Sequence, residues 1–164
     1  MRDFRNKIIH NWQILREILE KYRMVGKIIG FTNGCFDILH KGHIYYLYQA
    51  KEYCDVLVVG INTDESVRRI KGYPKPINSL EERMVVISAL EAVDFVTPFE
   101  QDTPIDLIEY LKPDVYFKGG DYKDKAIPEM KVIEKYRIDY KVLVFVPDSS
   151  TSRIIERIIE RGGK

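Results

Sequence analysis

A chain of 164 residues that is 45% hydrophobic and 31% charged has the length and composition of one globular domain with a buried core. Its net charge of +1 gives no global attraction for nucleic acid or an anionic membrane, so any affinity for anions must be built locally. No apolar stretch approaches the roughly 20 residues that span a bilayer, the start MRDFRNKIIHNW lacks a signal-peptide core, and Cys35 and Cys54 form neither a disulfide framework nor a metal-ligand set, so the chain reads as cytoplasmic.

Phe4, Ile8, Trp12, Leu15, Ile18, Leu19 and Tyr22 recur at steps of about 3.6 residues. They predict an amphipathic helix within residues 1–25, ending before Gly26 and packed on a domain formed by residues 26–164. The run Lys27–Thr32 predicts the first strand and leads into FTNGCFDILHKGH, Phe31–His43, after which Ile44–Tyr53 is helical. A strand at Val56–Ile61 follows, and Thr63 is placed to cap a short helix over Glu65–Ile70. Ser79 and Glu82 have capping-box spacing and open a helix to about Glu91. Phe95–Val96 predicts a third strand, and Thr103-Pro104 is a cap and first-turn signal for a helix to Leu111. Val115–Phe117 predicts a strand, Pro128–Tyr136 a helix, Lys141–Val146 a strand and Ser152–Arg161 the last helix, closed by Gly162-Gly163.

Strand and helix alternate throughout, with no repeat or interdomain linker. The pattern predicts an α/β fold: a Rossmann-like doubly wound parallel sheet of about five strands, with an N-terminal helix and a C-terminal helix. Ligands of such sheets bind beyond the carboxyl ends of the strands at the switch point. Three stretches fall on that edge and carry unusual chemistry: Thr32–His43, Asn62–Asp64 with its following loop, and Lys118–Tyr122.

His40 and His43 are two of the 3 histidines in the chain, and they share one face at the start of a helix. Helix starts attract anions through unpaired N–H groups and the dipole. Gly42 removes a side chain between them, and two imidazoles aimed at one phosphate can donate hydrogen bonds to oxygens that gain charge in a transition state. A zinc pair is disfavoured, because no further ligand cluster accompanies this spacing, and no metal ligand is assigned. Ser150, Thr151 and Ser152 place hydroxyls at another helix start, suited to nucleotide phosphates. Lys71 opens the loop KGYPKPIN, Lys71–Asn78, which lacks apolar anchors and is expected to act as a mobile cover over triphosphate. Arg83 lies in the first turn of a helix, a poor place for a cation unless an anion offsets it. Lys118 stands at a strand end before Gly119-Gly120, which permit close ligand approach, while Asp121 is placed to meet a ribose or sugar hydroxyl.

The segment Gly34–His43, GCFDILHKGH, resembles the HxGH signature of the nucleotidyltransferase superfamily, and Ser150-Thr151-Ser152 resembles its second signature. Over about Gly26 to Ile159 the chain is similar to the adenylyltransferase half of bacterial ADP-heptose synthases. The blocks that carry this are Thr32–Asp37, Asn62–Val67, Lys71-Gly72, Pro76-Ile77-Asn78, Glu82-Arg83-Met84, Ala89–Asp94 and Lys118–Tyr122. The stretch Val146–Ser149 departs from relatives: it is shorter, has no arginine, and Arg153 follows the hydroxyl triplet directly.

The resemblance implies transfer of adenylate from ATP to D-glycero-β-D-manno-heptose 1-phosphate, giving ADP-heptose and pyrophosphate on the way to the lipopolysaccharide core. It implies a form free of the sugar kinase domain, Mg²⁺ arriving with ATP, and a homodimer or higher homo-oligomer. His40, His43 and Lys71 take the catalytic roles. Thr32, Asn33, Gly34, Phe36, Gly42, Arg83, Gly119, Asp121, Ser150, Thr151 and Ser152 bind nucleotide. Asp37, Asn62, Asp64 and Lys118 bind the sugar phosphate. Cys35 lies inside the motif and is assigned no chemistry. Other acceptors on the same chemistry remain open, glycerol phosphate with CTP or FMN with ATP. So does a non-catalytic nucleotide-binding module; a tRNA-synthetase fragment is opposed by the lack of a KMSKS-like loop and of a basic surface.

Overall fold

The computed structural model describes residues 3–120, 127–144 and 151–162. Five strands, β1 (Ile29–Gly34), β2 (Val56–Asn62), β3 (Phe95–Phe99), β4 (Val115–Gly119) and β5 (Asp139–Leu143), pair in the order β3-β2-β1-β4-β5. Every pairing is parallel. Helices α1 (Trp12–Met24), α2 (Lys41–Lys51), α3 (Asp64–Lys71), α4 (Leu80–Ser88), α5 (Ile105–Leu111), α6 (Met130–Tyr136) and α7 (Thr151–Gly162) complete the described elements. This is the Rossmann-like α/β sheet that the alternation predicts.

Parallel pairing needs helical crossovers, which cover both faces of the sheet. The interior strand β2, VLVVGIN, is accordingly buried along its whole length. Pro98 is tolerated in β3 because that strand is an edge. One core packs α1, α5 and α6 on the sheet through Leu15, Leu19, Phe31, Leu107, Tyr116 and Ile133. The other packs α2 and α4 through Phe36, Leu47, Val59, Met84, Ile87 and Phe117. Fully burying each aliphatic or phenylalanine side chain of this kind contributes roughly 1.5–3 kcal/mol.

The two edges of the sheet are built differently. At the strand starts, carboxylates accept backbone N–H groups: Asp55 from Ile28 at 2.9 Å, Asp114 from Ile29 at 2.7 Å and Asp94 from Leu57 at 2.7 Å. The chain leaves β3 at one edge and re-enters at β4 beside β1, so β1 and β4 flank the switch point. The candidate site residues gather at their carboxyl ends.

The N-terminal helix is shorter than the periodicity suggests. Asn11 caps α1 by accepting the N–H groups of Gln13 and Ile14, so the helix starts at Trp12. Phe4–Lys7 form a single 3-10 turn, Ile8 makes a parallel bridge to Val96, and Ile9 donates its N–H to Val96 O at 2.9 Å. The apolar spacing of Phe4 and Ile8 therefore serves the edge beside β3 rather than a helix face. Smaller boundary shifts occur at α4, which stops at Ser88, and at α5, which begins after Pro104 with no side-chain cap from Thr103. Strand β5 runs from Asp139 to Leu143, starting and ending earlier than expected; Val144 lies beyond it, and Val146 lies outside the described residues. Among the described residues no helix is long and apolar enough to cross a membrane.

Candidate active site

Strand β1 delivers Asn33 and Gly34 to the carboxyl edge, and the chain then turns sharply into α2. Phe36 adopts a left-handed backbone, φ 47°, uncommon for a residue with a Cβ. A side chain at Gly34 would stand 2.9 Å from the Phe36 ring, so the glycine makes room for it. That ring in turn packs against His43, with centroids 5.2 Å apart.

His40 is the N-cap residue of α2, but its imidazole makes no capping hydrogen bond. It stacks instead on His43, with ring centroids 3.8 Å apart and planes 24° apart. The Nδ1 atoms of both rings are buried with no hydrogen-bond partner among the described residues. Burial, with a smaller contribution from His40, lowers the pKa of His43 to about 4, and burial lowers that of His40 as well. Both rings are therefore neutral at pH 7, each with one N–H to donate. Lys41 and Gly42 begin the first helical turn, where N–H groups have no intrahelical acceptor.

The start of α7 lies against the same segment: Thr151 Oγ1 donates to Ile38 O at 3.3 Å. Lys75 Nζ donates to Ser152 Oγ at 3.3 Å, so the Lys71–Asn78 loop reaches the hydroxyl triplet. Asp37 fixes the far end of that loop. Its carboxylate accepts the N–H of Ile77 at 2.9 Å and of Asn78 at 2.8 Å, while Asn78 Nδ2 donates to Asp37 O. Only the first half of the loop, where Gly72 has φ 75° and Tyr73 is 94% exposed, is left without such an anchor.

These elements enclose a cleft of about 680 Å³ at the switch point. Asn33, Gly34, Phe36, Asp37, His40, Gly42 and His43 line it from the first motif. Asn62, Lys71, Lys118, Gly119, Thr151 and Ser152 line it from the other strands and helices, as the sequence suggests. Thr32, Asp64 and Arg83 do not line it. Thr32 is fully buried, sharing a 2.6 Å hydrogen bond with Tyr46 Oη. Arg83 is also buried: it donates to Asp64 Oδ1 and Cys35 O, both at 2.7 Å, and to Asn78 O at 3.2 Å. Its first-turn position is offset by an internal carboxylate, Asp64, rather than by an open anion site. Asn62 is held by Ser66 Oγ, to which its Nδ2 donates at 3.0 Å. Asp121, Ser150 and the stretch Val146–Ser149 lie outside the described residues.

Other lining residues were not assigned a role of their own from the sequence. Lys75 shares the loop with Lys71, and Tyr46 stands three residues beyond His43, on the same helix face. That spacing is a signal that could have found Tyr46. Glu129, just before α6, also lines the cleft, and its partners Tyr116 and Lys118 come from the preceding strand, β4.

Residues 31–157 match the family described as Cytidylyltransferase-like, and the chain belongs to that family. It is 50% identical over 143 residues to the bifunctional protein HldE of Alcanivorax borkumensis, covering 87% of this chain and 30% of that protein. It is 46% identical over 150 residues to the bifunctional protein HldE of Sulfurimonas denitrificans, covering 92% and 31% respectively. The chain thus spans about a third of the length of these relatives. Among solved structures, the lipopolysaccharide core biosynthesis protein of Thermoplasma volcanium is 31% identical, with a TM-score of 0.59 over 74% of this chain and 98% of that one. The pantoate-beta-alanine ligase of Francisella tularensis, solved with beta-gamma ATP and beta-alanine, is 19% identical with a TM-score of 0.60 over 88% of this chain and 68% of that one, and shares the fold.

Proposed function

We propose that this member of the Cytidylyltransferase-like family is a sugar-phosphate adenylyltransferase, joining ATP and D-glycero-β-D-manno-heptose 1-phosphate into ADP-heptose and pyrophosphate. The observation that carries transfer chemistry is the stacked pair of neutral imidazoles at the start of α2, with the hydroxyls of α7 and the lysines of the 71–78 loop around one cleft. The choice of a heptose acceptor rests on the resemblance of Thr32–Asp37 and Lys118–Tyr122, and on the kinship with HldE proteins.

The acceptor's phosphate oxygen is already anionic at neutral pH, so no general base is needed. It attacks the α-phosphorus of ATP, a P–O bond forms, and the bond to the α–β bridging oxygen breaks as pyrophosphate leaves. His40 and His43 donate to α-phosphate oxygens as charge builds there. Lys71 and Lys75 meet the charge of the leaving pyrophosphate. Catalysis is thus positioning plus charge stabilisation.

Mg²⁺ enters with the triphosphate in this reading. Among the described residues no group of three His, Cys, Asp or Glu side chains stands ready to hold a metal. Asp37 is engaged by two backbone N–H groups and Glu129 by Lys118. Phosphate oxygens and water therefore suit the ion better than a side-chain cage, and it would supply neutralisation of phosphate charge. A cytoplasmic homodimer or higher homo-oligomer completes the proposal.

The test is pyrophosphate release with each of the four nucleoside triphosphates against a panel of sugar 1-phosphates. ATP with the heptose phosphate should be fastest. Faster turnover of CTP with glycerol 3-phosphate would reassign the acceptor and the base, and binding without turnover of any pair would leave a nucleotide-binding module.

A further inference from the structure

Glu129 lines the cleft, yet nothing in transfer at the histidine pair calls on it. Only 3% of its surface is exposed, and a carboxylate so buried needs its oxygens satisfied. Oε1 is satisfied: Tyr116 Oη donates toward it at 3.3 Å and Lys118 Nζ stands 3.3 Å away. Oε2 has no partner among the described residues.

The support around it is built. The Tyr116 hydroxyl makes a shorter bond, 2.8 Å, to Asn33 Oδ1, which Lys118 Nζ also reaches at 3.3 Å. Burial and the nearby Glu129 carboxylate push the Tyr116 pKa well above its usual value, so that hydroxyl keeps its proton and remains a donor. Tyr116 belongs to the core under α1, α5 and α6, whereas α2 packs on the opposite face of the sheet. Glu129, bonded to Tyr116, thus lies on the α6 side of the cleft, whereas the start of α2, where phosphates are expected, lies on the other.

We infer that Glu129 is a specificity-determining residue for the acceptor: its free Oε2 accepts a hydrogen bond from a sugar hydroxyl of the phosphorylated substrate, beside Lys118 and Asn33. The inference rests on the reading of the cleft as a sugar-phosphate adenylyltransferase site. A buried acceptor oxygen selects a hydroxyl donor and rejects an acceptor or an apolar group at the same place.

Glu129→Gln keeps the shape and places an amide donor where an acceptor stood. In the full chain, with ATP and D-glycero-β-D-manno-heptose 1-phosphate, it should raise KM for the sugar phosphate by about tenfold to a hundredfold while KM for ATP stays within about twofold. Deoxy analogues of the sugar lacking the recognised hydroxyl should suffer a similar loss with the wild-type chain and little further loss with Glu129→Gln. The ribose of ATP offers the same chemistry. An effect that falls on KM for ATP, and is mimicked by 2′-deoxy- or 3′-deoxy-ATP, overturns the assignment to the acceptor. An unchanged KM for the sugar phosphate also overturns it. If Glu129→Gln does not fold, Tyr116→Phe, which deletes only the supporting hydroxyl, should show the same selective rise at smaller size, and equal KM values there overturn the inference. A wild-type chain that turns over no sugar 1-phosphate overturns the proposed function itself, and this inference with it.

Discussion

Replacing Arg83 by Met separates a buried strut from a triphosphate ligand. The Arg83 side chain has 0% exposure and is paired with Asp64, whose side chain is 28% exposed. Its guanidinium also holds Cys35 O, in the turn before α2, and Asn78 O, at the end of the loop before α4. Met fills much of the volume but donates nothing. Removing one partner of a buried ion pair costs about 3–5 kcal/mol, and an orphaned buried carbonyl about 1–3 kcal/mol. Because water reaches Asp64, the lower ends apply, about 3 kcal/mol for the pair and about 1 kcal/mol for each of the two carbonyls, or about 5 kcal/mol in total. For a chain of this size each 1 kcal/mol moves Tm by about 2–4 °C, so Arg83→Met should melt about 10–20 °C below wild type.

The assay is thermal and urea denaturation, paired with steady-state kinetics at a temperature where both proteins are folded. Asp64→Asn in the Arg83→Met background should restore part of the loss, since it removes the stranded charge. The two carbonyls belong to segments that shape the site, so any catalytic effect should appear in kcat, with KM for ATP within about threefold. A melting point within about 2 °C of wild type, together with a tenfold rise in KM for ATP, would refute the reasoning and return Arg83 to the triphosphate.

His43→Ala should lower kcat by about a hundredfold or more with little change in KM for ATP, as for a lost oxyanion donor, and near wild-type turnover would count against the histidine pair. The depressed pKa of His43, about 4 against an ordinary 6.5, also makes stability depend on pH. The unfolded chain binds more protons between those values, so this stabilisation is complete above about pH 6.5 and is lost as pH falls towards 4, by on the order of 3 kcal/mol at the limit. Urea denaturation at pH 7 and pH 5 measures it, and His43→Asn should remove that part of the slope. Hydrogen exchange with a non-hydrolysable ATP analogue should raise protection at Tyr73 and Lys75. The amides of Ile77 and Asn78 should be protected in both states, because Asp37 holds them. Equal exchange at Tyr73 and Lys75 in both states would make the loop a static connector.

Features written in neighbouring residues were legible in the sequence. Ser79 and Glu82 form the capping box that their spacing implies, and Thr63 caps α3 by accepting Ser66 N–H. The HxGH stretch located the switch point because one strand end and one helix start are contiguous in the chain. Features made by residues far apart were not. Arg83 meets Asp64 and Cys35, and Tyr116 meets Asn33, across 19, 48 and 83 positions. An arginine in a first turn does signal an anion, but the sequence alone does not say whether that anion is a substrate or a buried aspartate. The hydrogen bonds at the far end of the Lys71–Asn78 loop were hidden for the same reason: Asp37, which accepts the N–H groups of Ile77 and Asn78, stands 40 and 41 residues earlier. Asn11 was a local cap signal, overridden by the longer apolar period from Phe4 to Tyr22.

The stacking of the histidines explains why the site also needs its lysines. Two unit charges at the 3.8 Å ring separation would repel by about 4 kcal/mol at an effective dielectric constant of 20, and burial already disfavours the first charge. The pair therefore acts as neutral donors, which bind a ground-state phosphate modestly and strengthen as negative charge accumulates on it. Net positive charge for the departing pyrophosphate has to come from elsewhere in the cleft, and Lys71 and Lys75 bring it on the loop whose first half carries no anchor to Asp37. In the proposed transfer, fixed, uncharged donors on α2 and cations on a segment expected to move would divide the work in time. The cations can close on a triphosphate and open with pyrophosphate, whereas cations fixed at the reacting centre would retain the product. Making the histidine pair permanently positive, for example by His40→Lys, should therefore tighten pyrophosphate inhibition more than it tightens ATP binding. Equal tightening of both would show that the charge of the pair is not what governs release.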